Sequence, residues 1–281
     1  MNSYIVVTGA SGWLGKTMVE ALYNVFPYSE YQQRLALFSS KRKDFVIHGR
    51  KNDIPVSALA LQELPAFAEA TPIHSFIHTA FLTKDRIGVY GLDRFTRENK
   101  EITDCVCKAL SFAQNARVVG ISSGAALASE QYSARVTQSE PEPYAILKYQ
   151  EEERLRIQVE PLILRIFALS GRHMRDPIQF ALGDFLLSAI RREQICIKAK
   201  MPVFRGYGYA DDICMLAIRW LVSDKEAPSR PVDTVSHSLS LVELAELISR
   251  QYNLPNPLTC LDQSLAANSY TANSHAYVRL L

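Results

Sequence analysis

The 281-residue sequence has no apolar run that approaches the roughly 20 residues a helix needs to cross a bilayer. It also lacks an excess of charge, since 31 Lys and Arg residues against 29 Asp and Glu residues leave a net charge of +2. This balance gives no electrostatic reason to expect binding to nucleic acid or to a membrane. The first strand-like run, at residues 4–7, begins at once, which predicts that no signal peptide is present.

Cysteine is also sparse in this sequence. Five Cys residues are scattered without the spacing of metal ligands, so the sequence predicts no metal site. An odd number of unpatterned thiols is typical of a reducing compartment, and we therefore expect a cytoplasmic protein.

What the sequence does contain is a regular alternation of strand and helix patterns. Strands are predicted at residues 4–7, 35–38, 74–80, 117–121 and 162–166, and helices at residues 13–24, 94–114 and 144–158. Two short strand candidates, 45–47 and 54–56, compete with each other, and the pattern does not choose between them. The alternation predicts an α/β fold with a doubly wound parallel sheet, the Rossmann architecture.

The pattern loosens after about residue 168. Helices are predicted at residues 178–192, 213–222 and 242–252, the last with a capping box of Ser240 and Glu243. We therefore predict a first domain of residues 1–168, completed by late strands from about 203–236. A smaller, partly helical C-terminal domain is predicted for residues 169–202 and 237–281.

A glycine-rich loop lies between the first strand and the first helix. Gly9, Gly12 and Gly15 are spaced Gly-x-x-Gly-x-x-Gly. Glycines at this place permit a tight turn and let the backbone approach a pyrophosphate, while the helix N-terminus offers unpaired N–H groups. The loop therefore predicts a bound dinucleotide.

The loop after the second strand indicates which dinucleotide. An acidic residue is usual here for the ribose 2′-hydroxyl of NAD. This chain instead has Ser39, Ser40, Lys41 and Arg42, and hydroxyl and cationic groups suit a 2′-phosphate. We therefore predict NADP, with NAD as the alternative.

A Tyr-x-x-x-Lys pair and a serine predict the chemistry. Tyr144 and Lys148 are four residues apart on one helix face, and Ser123 ends an earlier strand. A neighbouring ammonium should lower the pKa of the phenol, so that Tyr144 exchanges a proton with a carbonyl or alcohol near neutral pH. Ser123 could stabilise charge on the same oxygen. The glutamate run at 151–153 is predicted to be a solvated helix face.

In its motifs and their order the chain resembles the extended short-chain dehydrogenase/reductases, also called the NAD-dependent epimerase/dehydratase family. The resemblance covers most of the chain, and the motifs that carry it are Thr8-Gly9-x-x-Gly12-x-x-Gly15, His78-Thr79-Ala80, Asn99-x-x-x-Thr103, Ser122-Ser123, Tyr144-x-x-x-Lys148, Arg165-Ile166-Phe167 and Tyr209-Ala210-Asp211-Asp212.

The resemblance implies roles for particular residues. Ser123, Tyr144 and Lys148 would form the catalytic triad, joined by Asn99 through a water, and Lys148 would also hold the nicotinamide ribose. The first domain would bind the dinucleotide, and substrate would bind between the two domains of the chain. Two copies of the chain would form a homodimer. The predicted cofactor-binding residues are Thr8, Gly9, Ser11, Gly12, Trp13, Leu14, Gly15, Ser39, Ser40, Lys41, Arg42, Thr79, Ala80, Phe81, Tyr144 and Lys148. The predicted substrate contacts are Ser123, His173 and Arg205.

Departures from the family pattern narrow the reaction. Gly124 and Ala125 stand where the dehydratases have an acidic pair, and Ala125 stands where the epimerase-reductases have a cysteine. Two simpler reactions remain for a nucleotide sugar: 4-epimerisation at a single sugar carbon, and net reduction of a keto-sugar or the reverse oxidation. Because the loop favours NADP, we predict NADPH-dependent reduction of a keto group on a nucleotide-activated sugar. The alternatives are a nucleotide-sugar 4-epimerase, a reductase of a small aldehyde or ketone, and a non-catalytic NADP-binding regulator.

Overall fold

The computed structural model describes residues 3–26, 32–49 and 52–281. The chain divides into two compact units. The first unit consists of Met1–Arg165 and Asp211–Val232, and the second consists of Ile166–Ala210 and Asp233–Leu281. The chain therefore leaves the first unit, returns to it for one short segment and leaves again.

The strands and helices follow one another along the chain. The strands are β1 (Tyr4–Thr8), β2 (Leu35–Ser39), β3 (Lys43–His48), β4 (Asp53–Ala60), β5 (Ile73–His78), β6 (Arg117–Ser123), β7 (Leu162–Ile166), β8 (Ala168–Ser170), β9 (Cys196–Ile197), β10 (Val203–Tyr209), β11 (Val232–Asp233), β12 (His237–Ser240), β13 (Leu258–Thr259) and β14 (Asn268–Tyr270). The helices are α1 (Trp13–Val25), α2 (Leu64–Ala70), α3 (Ile87–Tyr90), α4 (Leu92–Ser111), α5 (Ala126–Ser133), α6 (Pro143–Gln158), α7 (Ala181–Ile190), α8 (Ala210–Leu221), α9 (Leu241–Gln251) and α10 (His275–Leu280).

The main sheet has the strand order β11-β7-β6-β5-β1-β2-β4-β3. β1 pairs in parallel with both β2 and β5, and β5 pairs in parallel with β6. The strand order reverses at β1 and β5, so this is a doubly wound Rossmann-like sheet, and the prediction of an α/β fold is confirmed. In such sheets ligands bind beyond the carboxyl ends of the strands at the reversal.

Both of the competing short strand candidates form strands. β3 and β4 pair as an antiparallel hairpin, and β4 also extends the sheet through a parallel pairing with β2. Phe45 and Ile47 alternate with exposed neighbours on β3, as Val56 and Ala58 do on β4, so the hairpin buries one face. This period-2 burial explains why two short runs persist at the edge of the sheet.

The core of the first unit lies between the sheet and helices α2, α4 and α6. Phe38, Phe76, Val106 and Leu110 are fully buried there, and Leu155 of α6 packs against the same cluster. Full burial of side chains this large stabilises the fold by roughly 1.5–3 kcal/mol each. The core therefore fixes the helix that carries Tyr144 against the sheet.

The returning segment of the first unit is anchored by Arg117. Its Nη2 donates to the backbone carbonyls of Trp220 and Lys225 at 2.8 Å each, and its guanidinium lies 4.0 Å from the centroid of the Trp220 ring. This side chain joins the start of β6 to α8 and to the turn that follows α8.

The second unit has its own sheet and core. β10 pairs in parallel with β8 and β14 and antiparallel with β12, so it does not join the main sheet as the predicted late strands would require. Phe185, Ile195 and Ile248 are buried between α7, α9 and the strand segments. The capping box of Ser240 and Glu243 at the start of α9 is present.

Within the described residues, no helix combines the length and the apolar character needed to span a membrane. A search of the same part of the chain finds no cluster of three His, Cys, Asp or Glu side chains that could hold a metal ion.

Candidate active site

The glycine loop has a geometry that larger residues would disrupt. Gly9 has φ of +69°, and a Cβ built on it would lie 2.7 Å from the backbone nitrogen of Ala80. A Cβ on Gly15 would lie 2.0 Å from the carbonyl oxygen of Gly9, well inside van der Waals contact. Gly12 N donates to the same carbonyl oxygen at 2.8 Å. The loop is therefore a tight turn that packs closely on both the next strand and its own helix.

The N-terminus of α1 suits a pyrophosphate. The helix begins at Trp13 with Gly12 as its N-cap, and its first turn contains no acidic residue. Unpaired backbone N–H groups and the helix dipole favour an anion at this position. Ser11, Trp13 and Leu14, which the sequence predicts to contact the cofactor, lie in the loop or the first helical turn. The residues present therefore fit the phosphates of a dinucleotide.

The loop after β5 lies beside the glycine loop. Thr79 Oγ1 donates to the carbonyl oxygen of Thr8 at 2.7 Å, which ties the ends of β1 and β5 together. Asn99 is almost fully buried, and its Oδ1 accepts from Leu82 N at 2.8 Å while its Nδ2 donates to Leu82 O at 3.3 Å. Both ends of the amide therefore hold this loop. The structure assigns Asn99 this contact, whereas the sequence predicted a role through water.

The loop after β2 presents a mixed set of charges. Ser39 is buried, and its hydroxyl donates to the carbonyl oxygen of Lys41 at 2.5 Å. Arg42 forms a two-point ion pair with Glu63, in which Nε donates to Oε1 at 2.9 Å and Nη2 contacts Oε2. Ser40 and Lys41 are exposed. The carboxylate that the sequence lacked directly after β2 is thus supplied from a later turn, because Glu63 lies next to Arg42.

Ser123, Tyr144 and Lys148 come together in the first unit. Ser123 ends β6, and its side chain is hydrogen-bonded to Tyr144 in the first turn of α6. Lys148, one turn later, is 4% exposed, and its Nζ donates to the carbonyl oxygen of Ile121 at 3.0 Å. The phenol, the hydroxyl and the amine therefore converge at the carboxyl end of β6, as the sequence predicted.

Phe81 packs against both helix residues of this group. Its ring meets the ring of Tyr144 edge to face, with centroids 5.9 Å apart. The Lys148 Nζ lies 3.8 Å from the centroid of the Phe81 ring, within the range of a cation–π interaction. Phe81 therefore orients the phenol and the amine together.

The pKa of Tyr144 is raised to about 12 in this structure, so the prediction of a lowered pKa is wrong here. Burial is the largest cause, because it disfavours the charged phenolate. The hydrogen bond with Ser123 lowers the pKa, and the negative charges of Glu151 and Asp85 raise it further. Burial and these negative charges therefore oppose ionisation of the Tyr144 phenol.

Lys148 has a carboxylate partner one turn further along the helix. Lys148 Nζ donates to Glu151 Oε2 at 2.7 Å, and His78 Nε2 lies 3.0 Å from Glu151 Oε1. His78 Nδ1 in turn lies 2.7 Å from Thr8 Oγ1. Burial would raise the pKa of the Glu151 carboxyl, but Lys148 and His78 outweigh it and hold that pKa below its usual value. An ionised Glu151 therefore compensates the charge of Lys148.

A second buried carboxylate fixes α6 to the sheet. Glu152 accepts from Arg165 Nε at 2.9 Å and Nη2 at 2.6 Å, and from Ser122 Oγ at 2.5 Å. Arg165 Nη1 also contacts Glu130 at 2.6 Å. The pKa of Arg165 is raised, because these carboxylates outweigh the opposing effect of burial. The network joins β6, β7 and α6.

The prediction of a solvated glutamate face was wrong for two of its three residues. Glu153 is exposed and pairs with Arg156 at 3.5 Å, but Glu151 and Glu152 are 2% and 1% exposed. Their partners His78 and Arg165 are distant in sequence. The available signal was that Glu151 lies three residues after Lys148, on the same face of the helix.

The predicted substrate residues His173 and Arg205 both belong to the second unit. His173 is half-buried in the turn that follows β8. Arg205 lies on β10, where its Nη1 donates to the carbonyl oxygens of Phe204 at 2.8 Å and Asn268 at 3.1 Å. These backbone contacts stabilise the pairing of β10 with β14, so part of the Arg205 guanidinium serves the fold.

Comparisons with known proteins agree with this geometry. The model of the "NAD dependent epimerase/dehydratase family" matches residues 5–232. The comparison with curated protein sequences found no match.

Several solved structures share the fold at low identity. The chain is similar to the UDP-N-acetylglucosamine 4-epimerase of Methanobrevibacter ruminantium M1 in complex with UDP-N-acetylmuramic acid, with a TM-score of 0.69 and 16% identity over 99% of this chain and 91% of that one. It is similar to the UDP-glucose 4-epimerase of Thermus thermophilus in complex with NAD, with a TM-score of 0.68 and 16% identity over 99% and 91%. A UDP-glucose 4-epimerase of Thermotoga maritima with UDP-glucose gives 0.70 and 16% over 98% and 91%. At these identities the likeness establishes the fold alone.

Proposed function

Because the chain belongs to the NAD-dependent epimerase/dehydratase family, we propose that it is a nucleotide-sugar 4-epimerase, which oxidises one carbinol carbon of the sugar and then reduces it again. The observation that carries the proposal is the convergence of Ser123, Tyr144 and Lys148 at the carboxyl end of β6. The names of the similar structures, which include 4-epimerases bound to NAD and to UDP-sugars, support the choice of substrate.

The proposed mechanism follows from the side chains. When bound, the dinucleotide supplies the hydride acceptor and donor. In the oxidative half, Tyr144 in its phenolate form accepts the proton of the sugar hydroxyl, while the carbon that bears this hydroxyl gives up its hydrogen as hydride. In the reductive half, Tyr144 returns a proton to the carbonyl oxygen. Ser123 donates a hydrogen bond to that oxygen in both halves, where it stabilises developing negative charge.

The charges near the ribose support NAD as the dinucleotide. Glu63 holds the Arg42 guanidinium at two points, and the hydroxyl of Ser39 is directed to its own loop. The 2′-phosphate of NADP would have to compete with the Glu63 carboxylate for Arg42, which would weaken the binding of NADP. NAD has a 2′-hydroxyl at this position and does not face that competition.

The second candidate is net reduction of a keto-sugar with NADPH. It is favoured by Lys41, which is exposed beside Arg42 in a loop without the acidic residue usual directly after β2, and by the neutral phenol of Tyr144. A neutral phenol is the form that donates a proton, as reduction of a ketone requires.

One experiment separates the two candidates. Dinucleotide is released from the purified protein by acid and identified by chromatography, and the protein is then incubated with UDP-glucose and with UDP-N-acetylglucosamine. We expect NAD to be released, and the C4 epimer to form without net change in nicotinamide absorbance. Released NADP, with NADPH consumed by a keto-sugar and no epimer formed, would replace the proposal with the reductase.

The role of Tyr144 is tested by Tyr144→Phe. We expect turnover to fall by about 10²–10⁴-fold, because the proton-transferring group is lost, while dinucleotide binding is retained. Tyr149→Phe is the matched control, because Tyr149 lies on the same helix and is half-buried, outside the triad. Full activity in Tyr144→Phe contradicts the mechanism.

A further inference from the structure

Glu151 lies at the centre of a buried group of polar side chains that the proposed mechanism does not use. Its carboxylate accepts from Lys148 on one oxygen, at 2.7 Å, and lies 3.0 Å from His78 on the other. Glu151 and His78 are 2% and 1% exposed. A carboxylate is costly to bury and persists in a protein interior only when its partners compensate it. Both oxygens of Glu151 have such a partner.

The ammonium of Lys148 is enclosed by three different groups. The Ile121 carbonyl oxygen is 3.0 Å from Nζ, the Glu151 carboxylate is 2.7 Å away, and the Phe81 ring centroid is 3.8 Å away. Lys has three N–H donors, and each of these groups can accept one. Of the three, Glu151 alone carries a full negative charge. It is therefore the group of the three that compensates the charge of the ammonium.

We propose that Glu151 is a positioning residue of this site, which holds Lys148 in the core of the first unit and compensates its charge, and thereby sets the pH at which Tyr144 becomes the phenolate that accepts the sugar proton. This proposal rests on the proposed function. Its physical basis is that an uncompensated cation close to a phenol favours the phenolate, while a compensated one has little effect.

The other groups that face these side chains do not change this assignment. Tyr144 meets Ser123 from β6 and Phe81 from the loop after β5, and the charge of Asp85 acts on it from the turn after that loop. Around Glu151, the titratable groups in direct contact are Lys148 on its own helix and His78 on β5. Lys100 on α4 and Arg154 on α6 line the small cavity that Glu151 also lines. Arg154 is paired at the surface with Asp104.

The same carboxylate links α6 to the glycine loop. From Glu151 the contacts run through His78 to the hydroxyl of Thr8, and Thr8 is the last residue of β1 before Gly9. A change at Glu151 therefore acts on both the charge of Lys148 and the end of the strand that positions the loop. The experiment must separate the effect of charge from the effect of shape.

The charge effect is measured directly on Tyr144. The Tyr Cζ chemical shift is followed by NMR over a pH titration in protein labelled with ¹³C-tyrosine, and the signal is assigned with Tyr144→Phe. Glu151→Gln keeps the shape and removes the charge. We expect it to lower the titration midpoint of Tyr144 by about one pH unit or more, because the ammonium is no longer compensated. Circular dichroism at each pH establishes that the protein is folded.

Two further variants give opposite signs, which a loss of shape alone cannot do. Lys148→Gln leaves the Glu151 carboxylate without its cation and should raise the Tyr144 midpoint above that of the wild type. The double variant Lys148→Gln/Glu151→Gln removes both charges and should return the midpoint to near the wild-type value. Glu153→Gln is the matched control, because Glu153 is exposed two residues further along α6, and it should leave the midpoint unchanged.

The pH dependence of activity is measured for the same variants. In Glu151→Gln the pH at which sugar oxidation becomes rapid should fall together with the Tyr144 midpoint, and Glu151→Asp, which keeps the charge, should restore the wild-type pH profile. An unchanged midpoint in folded Glu151→Gln overturns the proposal. If Glu151→Gln does not fold, a lowered or unchanged midpoint in Lys148→Gln overturns it. Because these titrations need no substrate, failure of the wild type to epimerise any sugar is a separate result, which refutes the proposed function alone.

Discussion

The ion pair of Glu152 and Arg165 provides a quantitative test of what holds α6, the helix that carries Tyr144 and Lys148, in place. The two side chains are 2% and 4% exposed and share two hydrogen bonds, at 2.9 and 2.6 Å. Arg165→Met removes the cation and leaves a buried carboxylate with the Ser122 hydroxyl as its remaining donor. Breaking a buried pair in this way typically costs about 3–5 kcal/mol, and we expect that loss in the free energy of unfolding. The contact with Glu130 adds little, because Glu130 is 40% exposed.

The double variant Glu152→Leu/Arg165→Met gives the decisive comparison. With both charges gone, no buried ion is left unpaired, so the double variant should cost less than either single variant. The coupling energy in the double-mutant cycle should then reach about 3 kcal/mol. Arg154→Met is the control, since Arg154 and its partner Asp104 are 39% and 63% exposed, and we expect a change below about 1 kcal/mol.

Urea unfolding followed by tryptophan fluorescence is the assay for this cycle. The two Trp residues of the chain, Trp13 and Trp220, both lie in the first unit, so their fluorescence reports on the unit that contains the ion pair. Single-variant costs that simply add in the double variant, or single costs below about 1 kcal/mol, would refute the reasoning, because they would mean that neither charge depends on the other.

Three further predictions concern the loop, the cofactor and pH. Gly15→Ala should abolish dinucleotide binding in calorimetry, since its Cβ would lie 2.0 Å from Gly9 O; unchanged affinity contradicts the close packing. Glu63→Gln should shift the ratio of NADP to NAD affinity toward NADP by about tenfold, because Arg42 becomes available to a 2′-phosphate, and a ratio that does not move contradicts that assignment. The pKa of Tyr144 is about 12 in the folded state against about 10 in the unfolded chain, so between pH 10 and 12 only the folded state keeps this proton, and the free energy of unfolding falls as pH rises. Tyr144→Phe should remove up to about 1.4 kcal/mol of that fall per pH unit, measured by urea unfolding at several pH values. Equal slopes of the unfolding free energy against pH in variant and wild type would contradict it.

The fold was predictable because its signals are local. Buried runs such as Tyr4–Thr8 and Leu35–Ser39 alternate with amphipathic helices, and the alternation is enough to indicate a parallel sheet. The sequence did not choose between the two edge strands, because their pairing depends on the partner strand rather than on either run alone. It also assigned the late strands of about 203–236 to the main sheet, which is right for β11 but wrong for β10. Nothing local distinguishes a strand that pairs with β8 and β12 from one that pairs with β7.

The candidate site was likewise only partly predictable from the sequence. The convergence of Ser123, Tyr144 and Lys148 was predictable because their spacing places a phenol and an amine on one helix face near the end of a strand. The pKa of Tyr144 could not be predicted, because it depends on burial and on Glu151, whose other partner, His78, is 73 residues away in the chain. The run of three glutamates at 151–153 predicted that Glu151 is exposed to solvent, whereas its contact with the distant His78 holds it in the interior.

The division of the first unit along the chain has a consequence for how the protein is made. The segment Asp211–Val232, with the edge strand β11, follows 45 residues that belong to the other unit, Ile166–Ala210. During synthesis the N-terminal unit must therefore wait for its last strand until that intervening stretch has left the ribosome. During this interval the Arg117 side chain has no contact with Trp220, and no single proteolytic cut can later release the complete first unit.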